Sequence, residues 1–128
     1  MGGWRDAGTT VTGSSEIFNP KTSSKCSVGN LNVARTGHSM CNNIVCGGTK
    51  ERTCEKFDGT STFTLLRVKL TGARWAHSCW GLKSGDVLLF GGYTDEDWKY
   101  DKDSTSAEKV SADGSSSKIA FTFDYHIA

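Results

Sequence analysis

Residues 31–39 read Leu-Asn-Val-Ala-Arg-Thr-Gly-His-Ser, and residues 70–78 read Leu-Thr-Gly-Ala-Arg-Trp-Ala-His-Ser. The Leu, Ala, Arg, His and Ser of the first phrase all recur in the second at an offset of 39 residues. Five identities at one offset indicate an internal repeat, which has to be recognised before any other structural assignment is made. Repeated units of this length bury their apolar faces against neighbouring units, so the sequence predicts a row of similar elements.

A double glycine recurs in step with this phrase. It stands at residues 2–3, 47–48 and 91–92, and the second and third pairs follow the β-prone runs at 43–46 and 86–90. Neither of these two pairs is followed by the Gly-Lys-Ser/Thr of a phosphate-binding loop or by the start of a helix. Both pairs therefore indicate the end of a strand.

A third element follows each double glycine. It reads Glu-Ile-Phe-Asn-Pro at 16–20, Glu-Lys-Phe-Asp-Gly at 55–59 and, more loosely, Glu-Lys-Val at 108–110. The spacing between equivalent elements varies because the connecting segments differ in length, which marks those segments as loops. The strands are thus predicted to keep one order while the loops change.

One period predicts four antiparallel strands. The first is an Arg-x-x-His-Ser strand, the second ends in Gly-Gly, the third carries Glu-x-Phe, and the fourth lies at 63–68 in one period and at 118–123 in the next. Turn-prone residues at 41–44 and 82–86 separate the first two strands in each period. No segment shows a sustained helical period, although 105–109 could form one turn, so the predicted fold class is all-β.

This pattern resembles the kelch repeat, in which the same three elements occur in the same order. The resemblance implies β-propeller blades of four antiparallel strands, with a partial kelch blade at 1–31, kelch blades at 32–70 and 71–123, and the start of a further blade at 124–128. A ring needs about four to eight blades, so it implies an incomplete ring and a fragment of a larger propeller. The remaining propeller blades, or further copies of the chain, would be needed to close it.

The repetition of the polar residues favours structural roles for them. Arg35 and Arg74 are expected to bond to backbone carbonyls of the adjoining blade. His38 and His77 occur once in each repeat, whereas a catalytic or metal-binding group is usually needed only once in a protein, so a structural role is favoured for both. The spacing of the three histidines does not suggest a zinc site. We therefore predict no catalytic residue, no metal and no cofactor.

Glycines and tryptophans are expected to serve packing. Close backbone packing near a propeller axis explains Gly47, Gly48, Gly91 and Gly92 better than phosphate binding does. The tryptophans are expected to pack between blades, because large aromatic side chains dominate protein cores. They include Trp4, Trp75 and Trp80.

Five cysteines are an odd number, so at least one thiol is unpaired within the chain. Cys46 and Cys54 flank a Gly-Gly turn on two strands expected to be neighbours, which makes them the favoured disulfide in an oxidised protein. The alternative is that all five are small buried hydrophobic residues in a reducing compartment. The sequence leaves both readings open, and with them a cytoplasmic or an extracellular location.

An acidic loop follows the last double glycine and has two interpretations. It is either a solvated loop or a recognition loop for a basic partner, because Trp and Tyr are enriched at binding hot spots. A calcium site is disfavoured, since the alternation of an EF-hand loop fails at Lys99. The residues concerned are Asp95, Glu96, Asp97, Trp98 and Tyr100.

Composition limits the classes of function. The 128 residues carry a net charge of +1, so no strong field favours nucleic acid, and no apolar run is long enough to span a membrane. The expected function is a protein-protein interaction scaffold with another protein as partner and no catalysis of its own. The alternative is part of a kelch-like propeller enzyme, of the copper oxidase or sugar-acid isomerase type, for which the chain shows no paired nucleophile and base.

Overall fold

The computed structural model describes residues 1–5, 10–94 and 104–122. These residues form β-strands joined by turns and loops, and no helix occurs among them. The expected all-β class is confirmed. The strands are β1 (Trp4–Arg5), β2 (Thr10–Val11), β3 (Ser15–Asn19), β4 (Ser24–Val28), β5 (Ser39–Cys41), β6 (Ile44–Cys46), β7 (Thr53–Phe57), β8 (Phe63–Lys69), β9 (Ser78–Gly81), β10 (Val87–Phe90), β11 (Ser106–Val110) and β12 (Ser117–Thr122).

All strand pairs in the described residues are antiparallel and join neighbours in the chain. The first sheet contains β3 and β4, the middle sheet runs β5-β6-β7-β8, and the last sheet runs β9-β10-β11-β12. A separate hairpin pairs β1 with β2. Because each strand of a sheet pairs with its neighbour in the chain, each sheet is a meander built from one continuous stretch of sequence.

The Arg-x-x-His segments are not part of the first strands, contrary to the sequence prediction. Strands β5 and β9 begin at Ser39 and Ser78, after the two histidines. The physical reason lies in Gly37 and Ala76, which have φ of 72° and 54° and therefore lie outside the range of a strand. The repeated Arg and His accordingly lie in the loop that precedes each four-stranded sheet.

The same backbone hydrogen bonds connect successive sheets. The Gly3 N–H donates to the Arg35 carbonyl at 2.6 Å, and at the next junction the Gly48 N–H donates to the Arg74 carbonyl at 2.9 Å. Near the fourth strands, the Gly29 N–H donates to the Ser61 carbonyl at the first junction, and the Val68 N–H donates to the Gly114 carbonyl at the second. The first and middle sheets are therefore joined in the same way as the middle and last sheets.

Two apolar clusters fill the spaces between the sheets. One lies between the first and middle sheets and contains Leu31, Val45, Phe57 and Phe63. The other lies between the middle and last sheets, and its buried members are Ile44, Cys46, Cys54, Val68, Leu70, Val87, Leu89 and Val110. Each face of the middle sheet is thus buried against a neighbour.

Two disulfides occur in the structure. Cys46 and Cys54 are joined across β6 and β7, at a Cα–Cα distance of 4.2 Å. Cys41 and Cys79 are joined at 6.1 Å, and this bond connects β5 of the middle sheet to β9 of the last sheet. Cys26 is an exposed free thiol. The Cys41–Cys79 bond was not predicted from the sequence, and it crosslinks the two four-stranded sheets covalently.

We predict that replacing both Cys41 and Cys79 by Ser lowers the free energy of unfolding by about 2–4 kcal/mol, because the unfolded chain loses a crosslink. Urea unfolding under non-reducing conditions measures this change. The matched control is Cys26→Ser, which removes an exposed thiol that bonds to nothing covalently. Equal midpoints for the double variant and the control would show that the crosslink contributes nothing.

Candidate functional site

A buried ion pair lies at the start of the middle sheet. The Arg35 guanidinium donates from Nη2 to Glu55 Oε2 at 2.8 Å, and both side chains have no exposed surface. Arg35 Nη1 also donates to the carbonyl oxygens of Gly47 at 3.0 Å and Thr53 at 2.8 Å. One arginine therefore holds together the loop before β5, the end of β6 and the start of β7.

The Glu55 carboxylate receives further hydrogen bonds from the loop. The backbone N–H of Asn32 donates to it at 2.6 Å and that of Val33 at 3.1 Å, and the Asn32 side-chain amide donates at 2.9 Å. Burial works to raise the pKa of Glu55, but the hydrogen bonds from Arg35, Asn32 and Val33 outweigh it and hold the pKa below its ordinary value. The carboxylate is thus ionised and saturated with donors.

The last sheet contains the same arrangement. Arg74 lies 3.7 Å from Glu108, and it donates to the backbone carbonyl and the side-chain hydroxyl of Ser106 at 2.9 and 2.8 Å. The Thr71 N–H donates to Glu108 at 2.9 Å, and the Ser117 hydroxyl donates to the same carboxylate. Arg74 and Glu108 therefore occupy the places that Arg35 and Glu55 take in the middle sheet.

These contacts correct the expected role of the arginines. Arg35 and Arg74 were expected to bond to carbonyls of an adjoining unit, whereas each bonds to carbonyls of the sheet that it precedes in the chain. The reason is the ion pair: Glu55 and Glu108 lie on the third strand of that same sheet and draw the guanidinium there. The link between sheets is made instead by the main chain of the arginine, through the carbonyl that accepts from the double glycine.

His77 and Gly47 lie against each other at the junction of the middle and last sheets. A Cβ added at Gly47 would come within 2.7 Å of the Arg74 carbonyl oxygen and 2.9 Å of His77 Cε1, and the φ of Gly47 is 73°. No other residue fits both the space and the backbone angle. At the preceding junction Gly2 lies against His38 in the same manner, with 2.8 Å to His38 Cε1.

The environment of His77 disfavours its charged form. The side chain is buried, and neither ring nitrogen is hydrogen-bonded to a partner within the described residues. Burial, followed by electrostatic repulsion from Arg74 and then from His38, lowers the pKa of His77 to about 4. Burial and Arg35 also lower the pKa of His38. Both histidines are neutral at pH 7.

The tryptophans differ in environment. Trp75 is buried and stacks on Tyr93 with ring centroids 5.0 Å apart. Trp80 is 65% exposed and does not pack between the described sheets, so its expected packing between units stays a prediction. The reason for this exposure is strand alternation: Cys79 and Gly81 face the middle sheet, and Trp80 between them points to the opposite side.

The structure gathers most, but not all, of the residues singled out in the sequence. Arg35, His38 and Gly47 lie around the junctions with Arg74 and His77. The acidic loop proposed for partner binding, Asp95, Glu96, Asp97, Trp98 and Tyr100, lies outside the described residues, as does the start of a further unit at 124–128. Gly91 contributes its carbonyl, which Arg74 Nη1 approaches at 3.4 Å.

Glu55 and Glu108 are the residues whose role was missed. The Glu-x-Phe element was recognised as a repeat, but its carboxylate was not paired with the repeated arginine. The signal was available, because an acid and a base that recur together in an interior that excludes water must neutralise each other.

Other site types find no support among the described residues. No group of three or more His, Cys, Asp or Glu side chains is placed to hold a metal ion there. Within the same ranges, no helix has the length and apolar character needed to cross a membrane. Comparison with known proteins yields neither a matching family model nor a similar curated protein.

We predict that Glu55→Gln lowers the free energy of unfolding by about 3 kcal/mol or more, because it leaves the buried Arg35 guanidinium without a countercharge. The matched control is Glu16→Gln, at the exposed equivalent position, where a change within about 0.5 kcal/mol is expected. Urea unfolding at pH 7 measures both. Equal decreases in the free energy of unfolding for the two variants would show that the buried ion pair stabilises the fold no more than the exposed one does.

We predict a second effect below pH 7. The pKa of His77 is about 4 in the folded protein, whereas an unperturbed imidazole has a pKa of 6.5. The unfolded chain therefore binds more protons than the folded chain between these two pH values. The contribution of the neutral His77 ring to the free energy of unfolding is fully present above pH 6.5 and is lost as the pH falls toward 4. The loss is expected to reach about 2 kcal/mol at pH 5. Unfolding of the protein and of His77→Gln at pH 7 and 5 measures this. Equal pH dependence in both would exclude His77 as the cause.

Proposed function

We propose that this chain forms part of a kelch-type β-propeller and acts as a protein-protein interaction scaffold. The observation that carries the proposal is the recurrence of one arrangement in successive sheets. Arg35 with Glu55 and Arg74 with Glu108 fix each four-stranded sheet internally, and equivalent backbone hydrogen bonds connect each sheet to the next. Sheets related in this way are the expected product of a blade repeat.

The apolar surface of the sheets supports an array larger than the described one. Both faces of the middle sheet are buried by neighbours, whereas Phe18 of the first sheet is 60% exposed and Trp80 of the last sheet is 65% exposed. Terminal units in a repeat array leave an apolar face open unless it is capped. The proposed ring is therefore completed by remaining blades or by further copies of the chain.

The use of the repeated polar residues favours a scaffold over an enzyme. Arg35, Glu55, Arg74 and Glu108 are saturated by one another and by the backbone, and His77 is buried at a junction between sheets. Residues that make the same structural contact in each unit are not available to bind a partner. Binding residues are therefore expected in the loops, which a rigid framework holds in position. The acidic segment with Trp98 and Tyr100 is the loop with the composition of a binding hot spot. Its charge favours a basic partner.

We predict that the chain retains a subset of lysine- and arginine-rich peptides on a peptide array, and that Trp98→Ala with Tyr100→Ala weakens this retention at least about tenfold, as expected for two hot-spot aromatics. The matched control is Trp80→Ala, which removes an exposed tryptophan outside the acidic loop. Binding measured by surface plasmon resonance on the retained peptides gives the ratio. Equal loss in the control, or no preference for basic over acidic peptides, would contradict the proposed recognition loop.

A further inference from the structure

The two disulfides of the chain differ in their position in the sheets. Cys46 and Cys54 lie opposite each other on β6 and β7, which are interior strands of the middle sheet, and neither cysteine has exposed surface. Cys41 and Cys79 lie on β5 and β9, each of which is an edge strand of its own sheet. The first disulfide therefore joins strands that are already paired, whereas the second joins two different sheets.

The inter-sheet disulfide is the more accessible of the two. Cys41 and Cys79 are only partly buried, and they pack against the apolar cluster that contains the other two paired cysteines. Cys41 is also the last residue of β5, directly before a tight two-residue turn at 42–43 with φ of 50° and 61°. Disulfide exchange requires that an attacking thiolate reaches a sulfur atom. The position of Cys41–Cys79 meets this requirement without separation of the strands within either sheet.

Hydrogen bonds accompany this disulfide where the two edge strands meet. The side-chain amide of Asn42 donates to the carbonyl oxygens of Leu82 at 3.0 Å and Asp86 at 3.1 Å, at an exposed position. Just before β9, the Ala76 N–H donates to the Gly37 carbonyl at 2.8 Å. Exposed hydrogen bonds add little net stability, because water competes for both partners. The covalent bond is therefore a major link between β5 and β9.

The remainder of the junction is held by contacts other than the disulfide. Eight buried residues form the apolar cluster between the middle and last sheets. Backbone hydrogen bonds from Gly48 to Arg74 and from Val68 to Gly114 cross the junction elsewhere. Burial of apolar surface is the dominant favourable term in packing of this kind. Opening the disulfide is thus expected to loosen the edge strands while the two sheets stay packed together.

We propose that the Cys41–Cys79 disulfide is a redox switch at the junction between the middle and last sheets, opened by a dithiol in the folded protein. A thiolate of the dithiol attacks one of the two sulfur atoms, forms a mixed disulfide and releases the other cysteine as a thiolate, which takes up a proton. The second thiol of the reductant then displaces the remaining protein sulfur. The protein gains two electrons and two protons, and the dithiol leaves as an intramolecular disulfide.

The Cys46–Cys54 disulfide stays oxidised in this reaction, because a thiolate cannot reach its sulfur atoms while β6 and β7 are paired and buried. The switch therefore has two states of one folded protein. They differ in how firmly β9 is held against β5. Strand β9 includes Trp80, an exposed aromatic side chain next to Cys79, so reduction loosens the attachment of a surface residue.

Differential alkylation tests the proposal. The chain with Cys26→Ser, in which no free thiol can exchange with the disulfides, is incubated with dithiothreitol at pH 7 and quenched with iodoacetamide at intervals. Peptide mapping is expected to show alkylation of Cys41 and Cys79 at least about tenfold faster than that of the two buried cysteines. Equal rates, or earlier alkylation of the buried pair, would overturn the proposal, because reduction would then require more than local opening.

The matched control adds Cys41→Ser and Cys79→Ser to the same background. Its remaining disulfide is expected to be reduced at the slow rate measured for the buried pair in the first experiment. Rapid reduction of that disulfide would overturn the proposal, because it would show that the packing of the junction is lost together with the Cys41–Cys79 bond.

Amide hydrogen exchange of the singly reduced protein tests the effect of the switch. The Ala76 amide, which bonds to Gly37 beside the edge strands, is expected to exchange at least about tenfold faster than in the oxidised protein. The Val68 amide, which bonds to Gly114 elsewhere in the junction, is expected to exchange at an unchanged rate. Reoxidation by glutathione disulfide is expected to restore the original rate at Ala76. Unchanged exchange at Ala76, equal acceleration at both amides, or failure of reoxidation to restore the rate would overturn the proposal.

Discussion

The buried pair of a carboxylate and a guanidinium is the constraint on which each four-stranded sheet depends. Removing two charges from water is costly, and the cost is offset only when every donor and acceptor is matched. Glu55 meets this condition with donors from Arg35, Asn32 and Val33. Since these donors lie in the loop before the sheet and Glu55 lies on its third strand, the loop is fixed to the strands. The same arginine also fixes the double glycine at the end of β6, because Arg35 donates a hydrogen bond to the Gly47 carbonyl.

This arrangement explains why loops of different length are tolerated. Between the double glycine and the glutamate, the last sheet has a longer connection than the middle sheet, and part of it lies at 95–103 outside the described residues. Pairing of β10 with β11 nevertheless places Glu108 beside Leu89, as pairing of β6 with β7 places Glu55 beside Val45. The β10–β11 ladder and the Arg74–Glu108 pair are therefore kept although the connection is longer. A connection whose length changes without altering the ladder tolerates variation in sequence.

Features that follow from the spacing of residues along the chain were predicted from the sequence, whereas contacts that join one sheet to another were not. Strand order and the Gly-Gly strand ends followed from spacing, since a period of two and a turn signal act locally. The Cys41–Cys79 bond could not be found by aligning repeats, because Cys41 aligns with Trp80 rather than with Cys79. The sheet to which Arg35 bonds was likewise not predicted, since recurrence shows that a contact is repeated but not which sheet provides it. Exposure of Trp80 depended on which face of β9 meets the middle sheet.

The row of sheets also has a direction. The face that carries Glu55 meets the first sheet through Val45 and Leu31, and the face that carries Glu108 meets the middle sheet through Leu89. Each sheet therefore presents its glutamate face backward along the chain and the opposite face forward. A directional interface repeats head to tail, and it forms a ring when the rotation closes and an open array when it does not. In the proposed propeller, the unit that covers the exposed Glu16 face would therefore have to present a face of the forward kind.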